Sequence, residues 1–268
     1  VKRINQIRFS PNVKAFQDKM LNKFDLRLFD NPGEPVVMYG LYKQDDYDFL
    51  QNYGNRIHVL WCGSDARIAI GPRVDIIKGS GCVNIAKNRQ IHDTLKSKGI
   101  DSKIIPVTPT PLDITPEKKG KKVYCYIGNP GKERQYKVNA LRQIESRVPY
   151  KFVYAYHNSY PREQLLDIYR DCFIGIRLLD HDGLSNSIIE MALMGRRTIS
   201  NNPIPGTIPW RKGRVIPAMI NREYKRKDIE RVHKEMIRHI DIGDKWLYYD
   251  DENSQQVGNA LRSDKKNQ

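Results

Sequence analysis

Hydrophobic positions along the chain fall in short runs separated by polar stretches, and their spacing predicts strands and helices in alternation. After a mixed segment over residues 1–30, the run Pro-Val-Val-Met-Tyr-Gly at 35–40 predicts a strand and the polar stretch 45–53 a helix. Arg-Ile-His-Val-Leu-Trp at 56–61 predicts a second strand, closed by the turn Cys-Gly-Ser-Asp at 62–65. Residues 74–78 read as a third short strand, 84–98 as a helix closed by Gly99, and Lys-Ile-Ile-Pro-Val at 103–107 as a further strand. Repetition of this kind builds an open parallel sheet.

The rhythm breaks where Pro and charge dominate, and residues 111–122 are expected as a linker. It then restarts: strand 123–127, a Gly-rich turn at 128–131, a basic helix over about 133–147, strand 151–156, helix 162–170, strand 172–177, helix 187–194 ended by Gly195, and strand 197–200. The expected fold class is therefore α/β, two Rossmann-like doubly wound domains facing across a cleft. The expected boundaries are an N-terminal domain over 1–110, the linker, a C-terminal domain over 123–210, and a basic helical extension with a polar tail over 211–268.

Composition adds a charge. Lys and Arg outnumber Asp and Glu by 46 to 31, and the net +15 sets up a positive field that draws anions such as phosphates, nucleic acid or acidic glycans. That excess is larger than one diphosphate needs, which points to a second polyanionic partner or an anionic membrane surface, although the basic residues are dispersed. The four cysteines Cys62, Cys82, Cys125 and Cys172 show no metal-ligand spacing, and three of them sit in or beside apolar runs, as reduced core thiols do. With no leader segment and no apolar stretch of about 18 residues, a cytoplasmic protein is expected, at most in peripheral contact with the inner face of a membrane.

In open α/β sheets ligands bind beyond the carboxyl ends of the strands, so the strand-to-helix turns are where chemistry is sought. The most informative is Asp-Gly-Leu-Ser-Asn-Ser-Ile-Ile-Glu at 182–190, followed by Ala192 and Gly195 and a strand from Arg197. A carboxylate in the loop, small polar residues opening a helix and a second carboxylate on its first turns suit sugar hydroxyls on either side of a phosphate at the helix end.

This segment resembles the donor-binding signature of the GT-B-fold glycosyltransferases similar to glycogen synthase and sucrose synthase (glycosyltransferase family 4-like). Their pattern is an acidic residue, Gly, a Glu eight positions on, then Ala-x-x-x-Gly and a strand. The resemblance implies that Glu190 binds the ribose hydroxyls of a nucleoside-diphosphate sugar and that Asp182 acts at the donor sugar. It places Gly183, Leu184, Ser185 and Asn186 near the sugar and the distal phosphate. Asp182 stands where the family usually has Glu, which shortens the reach and leaves the sugar open.

A second turn, Gly128-Asn129-Pro-Gly-Lys132-Glu-Arg134-Gln-Tyr-Lys137, joins a close-approach glycine to three cations. In the resembling family an Arg and a Lys here bind the donor diphosphate; Asn129 stands where the Arg often lies, and the three cations are not assigned individually. The third turn, Trp-Cys-Gly-Ser-Asp at 61–65, is similar to a Trp-x-Gly-Ser/Thr-Asp turn of some members. Asp65 is a candidate catalytic base toward an acceptor hydroxyl, or equally an Asx-type residue closing its own turn.

Asp180-His181-Asp182 spells a short acid-x-acid pattern, but Asp182 is already claimed by the longer signature, so no obligatory metal or other cofactor is expected. His157 is noted only as ending a strand that would line the nucleotide side. The resemblance implies sugar transfer with retention at the anomeric carbon. The acceptor is a cell-envelope glycan, a lipid-linked sugar or a hydroxymethylated base of viral DNA. The alternative is a non-catalytic nucleic-acid-binding protein on a Rossmann-like scaffold, using Lys121, Lys122, Arg211, Lys212, Arg214 and the stretch 222–231. A dinucleotide-dependent oxidoreductase is disfavoured, because no G-x-G-x-x-G follows a strand.

Overall fold

The computed structural model describes residues 2–156, 159–180, 182–210 and 215–249. His157, His181, Arg211, Lys212, Arg214 and the tail from residue 254, all noted in the sequence, lie outside the described residues. The described residues divide into two compact units, one within 110–241 and the other combining those up to 109 with 242–249.

In the first unit six parallel strands pair in the order Arg27–Leu28, Gln6–Phe9, Val36–Tyr39, Ile57–Trp61, Val83–Ala86 and Lys103–Ile104. Every residue of Val36–Tyr39 and Ile57–Trp61 is buried, as expected for central strands covered on both faces. The mixed segment 1–30 thus supplies two strands of this sheet.

The strand expected at 74–78 is instead part of the helix Pro72–Ser80. Pro72 occupies a first-turn position, where its missing N–H costs nothing, and Gly81 ends the helix in the left-handed region at φ 70°. A short stretch with three β-branched residues among two charges does not by itself separate helix from strand, and here the Pro and Gly that bound the helix decide. The strand lies further on, at Val83–Ala86, and the helix expected over 84–98 shrinks to Arg89–Lys96. Asn88 caps that helix by accepting the Ile91 N–H at 2.9 Å.

The C-terminal residues also enter this unit. Tyr248–Tyr249 pairs antiparallel with Lys2–Arg3, the Ile4 N–H donates to the Leu247 carbonyl at 2.7 Å, and Trp246 meets Phe24 edge-on at 5.2 Å.

In the second unit five parallel strands run in the order Thr207–Ile208, Arg197–Ile199, Cys172–Ile176, Lys122–Gly128 and Phe152–Tyr156. The chain starts at Lys122–Gly128, moves outward to Phe152–Tyr156, then returns to the other side at Cys172–Ile176. The strand order therefore reverses between Lys122–Gly128 and Cys172–Ile176, the kind of switch point beside which α/β proteins hold ligands.

Residues 111–122, expected as a linker, pack into this unit. Ile114 is buried in its core, and the wholly buried Arg196 donates to the carbonyls of Glu117 (3.1 Å), Lys118 (2.9 Å) and Cys172 (3.2 Å). The basic stretch beyond 210 packs here too, as the helices Ile216–Lys225 and Ile229–Ile240, with Ile220, Val232, Met236 and Ile240 buried. Buried Glu223 accepts from Arg197 Nε (3.0 Å) and Arg226 Nε (2.7 Å). Part of the expected cationic surface is thus neutralised: Arg226 is buried against Glu223 and faces Asp228, while Arg231 pairs with Asp228 and Lys122 with Asp171 at the surface. Lys121 and Arg222 are exposed.

Candidate functional site

The carboxyl ends of Lys122–Gly128 and Cys172–Ile176 define the site. Gly128 sits at φ 70°, and a Cβ there would lie 2.2 Å from the Tyr136 ring. Glycine is thus required by its conformation and by the aromatic ring packed on it, before any ligand is considered. The basic helix expected over 133–147 forms only at Val138–Glu145, because Lys137 adopts the left-handed conformation at φ 55° just ahead of it. Residues 129–136 consequently form an open turn on which Asn129, Lys132 and Arg134 are exposed. Lys137 is tethered: its Nζ donates to Asp180 Oδ1 at 2.7 Å and lies 4.5 Å from the Trp210 ring centroid.

Arg177 ends the apolar strand Cys172–Ile176, and its backbone N–H continues the ladder to the Ile199 carbonyl at 2.9 Å. Its guanidinium lies 4.4 Å from the Tyr126 ring centroid and 5.5 Å from that of Tyr136. It also donates to both carboxylate oxygens of Asp182, from Nη2 to Oδ1 at 3.0 Å and from Nε to Oδ2. Burial works against the Arg177 charge, but the Asp182 carboxylate more than offsets it and the guanidinium's pKa is raised. A cation caged between two aromatic rings therefore orients Asp182 at the switch point.

Asn202 is buried and donates its side-chain amide to the Gly183 carbonyl, which pins the loop after Asp182. Gly183, Leu184, Ser185 and Asn186 are half-buried. Ser185 stands at the N-cap of helix Asn186–Leu193, but its hydroxyl is 3.0 Å from the Ser187 hydroxyl and makes no side-chain cap. Glu190 lies on the second turn of that helix, 6% exposed, with Arg162 Nε 3.4 Å from its Oε1. Arg162 is the first residue of helix Arg162–Arg170, following Pro161.

Two guanidinium–carboxylate pairs, Arg177 with Asp182 and Arg162 with Glu190, thus lie at the carboxyl side of one parallel sheet. The sequence marks the carboxylates and not their partners. The signals were present, a charge ending an otherwise apolar strand and a cation opening a helix after Pro, but neither has a fixed spacing from its partner.

In the first unit, Asp65 is fully buried and accepts backbone N–H groups from Cys62 (3.0 Å), Gly63 (2.7 Å) and Ala66 (2.9 Å). Burial raises its pKa, against the opposing pull of those amides and of Lys87. Of its two candidate roles, this is the geometry of the turn-closing one. Lys87 is buried nearby, its Nζ donating to the Tyr39 hydroxyl at 2.5 Å; burial lowers its pKa and pushes the Cys62 thiol up to about 12.

Among the described residues no group of three or more His, Cys, Asp or Glu side chains could hold a metal ion, and no helix is long and apolar enough to cross a membrane. Asp180 and Asp182 face different cations, Lys137 and Arg177.

No family model matches the chain, and no curated protein does. Solved structures do resemble it. The N-terminal domain of a trehalose-6-phosphate phosphatase from Candida albicans is 11% identical with a TM-score of 0.59, over 94% of this chain and 76% of that one. A sucrose-phosphate synthase from Thermosynechococcus elongatus is 12% identical with a TM-score of 0.55, over 96% and 78%. A glycosyltransferase from Rickettsia africae is 11% identical with a TM-score of 0.53, over 96% and 98%. At these identities the likeness is one of fold: the chain has the double Rossmann-like, GT-B-type architecture of these proteins.

Proposed function

We propose that the chain is a nucleotide-sugar-dependent glycosyltransferase whose second unit holds the donor. The observation that carries this reading is the pairing of Asp182 and Glu190, eight positions apart in sequence, each beside a guanidinium at the switch point of a parallel sheet. In this reading Glu190 accepts hydrogen bonds from the ribose hydroxyls and Asp182, held by Arg177, accepts from the donor sugar. The diphosphate lies between them, met by the first-turn amides of Asn186–Leu193 and by Lys132, Arg134 and Lys137. Those cations and amides stabilise the departing diphosphate as an acceptor hydroxyl attacks the anomeric carbon, so no obligatory metal is required. Sugar transfer in the fold-sharing synthase and glycosyltransferase is consistent with this assignment.

The finer expectations belong to the same proposal. Transfer proceeds with retention, in the cytoplasm or at the inner membrane face. The acceptor is a cell-envelope glycan, a lipid-linked sugar or a hydroxymethylated DNA base, the last two drawn by the net charge of +15.

The test is thermal: melting temperature is measured with UDP-, GDP-, ADP- and TDP-sugars, first without metal and then with Mn²⁺. A metal-independent rise with one of them that disappears in Glu190→Ala is the expected result. No rise with any, or a rise that persists in Glu190→Ala, overturns the site.

A further inference from the structure

We propose that Asn202 is a positioning residue for the distal phosphate of the donor: it sets the peptide between Gly183 and Leu184 so that the Leu184 N–H, and not the Gly183 carbonyl, faces that phosphate. This rests on the reading of the second unit as a nucleotide-sugar site.

Asn202 lies beyond strand Arg197–Ile199, in the turn that leads to strand Thr207–Ile208, and is 1% exposed. A polar side chain so far from water requires a partner, and this one reaches across 19 positions of sequence to donate to the Gly183 carbonyl. Its own backbone is held on both sides. The Asn202 N–H donates to Ser200 Oγ at 3.2 Å, and the Asn202 carbonyl accepts from Thr207 Oγ1 at 2.7 Å. The same turn rests on helix Asn186–Leu193: a Cβ on Gly206, at φ 76°, would lie 2.5 Å from the Ala192 Cβ. One braced turn therefore touches both the loop after Asp182 and the helix that follows it, which fixes the first against the second.

The consequence for a ligand comes from peptide geometry. The peptide bonds of the described residues are trans, so the C=O and N–H of one peptide unit point in opposite directions. With the Gly183 carbonyl turned in to Asn202, the Leu184 N–H is turned away from the buried turn. Among the described residues it donates to no backbone carbonyl, and Gly183 and Leu184 are both half-buried rather than enclosed. Glycine at 183 resists little when this peptide turns over, so the choice between its two faces falls to Asn202. That choice matters to an anion. An N–H aimed at a phosphate oxygen attracts it, whereas a carbonyl oxygen in the same place repels it. Without the Asn202 amide the Gly183 carbonyl would be left buried and unpaired. Rotation toward solvent relieves that cost and presents the wrong dipole to the donor.

The experiment compares dissociation constants of UDP, GDP and ADP with those of UMP, GMP and AMP, by calorimetry on the full chain, because the ratio of the two isolates the distal phosphate. The variants are Asn202→Leu and Asn202→Ala, both neutral, so neither adds a charge that would itself repel phosphate. For whichever base the wild type accepts, we expect the diphosphate to be favoured by about tenfold or more, and that preference to fall by at least about fivefold in both variants. Both constants of a ratio come from one preparation, so a loss of folded protein cancels. If the ratio survives in the variants, even with both constants weakened, Asn202 serves the fold alone and the proposal is overturned while the donor reading stands. A wild-type ratio close to one overturns it as well, since no amide then favours a distal phosphate. If the wild type binds none of the six, the donor site itself is misassigned and this inference goes with it.

Discussion

Arg177 and Asp182 grip each other through two parallel N–H···O contacts while the guanidinium lies over the Tyr126 ring, and the two side chains are only 11% and 8% exposed. Breaking such a pair by removing one partner leaves a buried charge uncompensated. Asp182→Ala should therefore lower unfolding stability by about 3–5 kcal/mol, read as a shift of the urea midpoint at constant slope. The double variant Arg177→Met/Asp182→Leu should recover most of that loss, since a packed apolar pair of similar volume replaces the ions, yet it should not recover donor binding. A midpoint unchanged in Asp182→Ala would show that the pair carries neither strain nor stability.

Gly128 tests a different separation, between what a glycine does for packing and what it does for a ligand. A Cβ at this position would sit 2.2 Å from the Tyr136 ring, and the backbone is at φ 70°. Gly128→Ala should cost about 2–4 kcal/mol, of which about 1 kcal/mol is the left-handed conformation and the rest the clash. Adding Tyr136→Ala should remove the clash component, so the double variant should be less destabilised than the sum of the two single ones. Strict additivity in that cycle would mean the ring moves aside without cost.

The sequence made the sheets legible and the partners of its charges illegible, for a physical reason. Runs such as 36–39 and 57–61 announce buried parallel strands because burial on both faces demands near-continuous apolar character, which His58 alone interrupts. The stretch 74–78, Val-Asp-Ile-Ile-Lys, shares the β-branched residues of those strands but carries two charges, and Pro72 and Gly81 bound it as a helix. Asp182 and Glu190 were readable because the loop and helix that carry them fix their spacing in the chain. Arg162 and Arg177 reach them through the fold, 28 positions before Glu190 and 5 before Asp182, at separations that no local rule predicts. The same holds for Arg196, whose bonds to the carbonyls of residues 117 and 118 turn a Pro- and Lys-rich stretch that reads as a linker into part of the second unit. It holds again for Trp246 and Tyr249, which return to the first unit from a region that reads as a basic extension.

His58 gives the first unit a defined response to acid. It is buried in strand Ile57–Trp61, its Nδ1–H donates to the Trp246 carbonyl at 3.2 Å, and burial, aided by the Lys103 charge, lowers its pKa to about 4. The folded-state pKa lies below the unfolded value of about 6.5, so the contribution to stability is complete above pH 6.5. It is lost as pH falls toward 4, because the unfolded chain takes up the proton first. Between pH 7 and pH 5 the loss from this group should be about 2 kcal/mol. His58→Gln keeps a donor for the carbonyl and removes the titration. The stability gap between wild type and variant should therefore narrow by that amount over the same range, as measured by urea unfolding at each pH. A gap independent of pH would show that His58 is hydrated in the fold.

Asp65 separates a structural carboxylate from a catalytic one. Its oxygens accept the amides of Cys62, Gly63 and Ala66, and its side chain is wholly buried. If closing that turn is its task, Asp65→Ala should lower stability by about 1–3 kcal/mol through the amides left unpaired. Asp65→Asn, which retains one acceptor oxygen, should lose less, and in both variants kcat measured on the folded fraction with the donor found by thermal shift should stay within about threefold of wild type. A general base behaves in the opposite way: its removal leaves stability almost untouched and lowers kcat by about 10²–10⁴-fold, with Asn no better than Ala. Stability and kcat of the two variants, measured side by side, therefore assign the residue. A large fall in kcat with an unshifted urea midpoint would return Asp65 to the catalytic machinery, whereas a shifted midpoint with intact kcat would fix it as the clasp of the turn at residues 62–66.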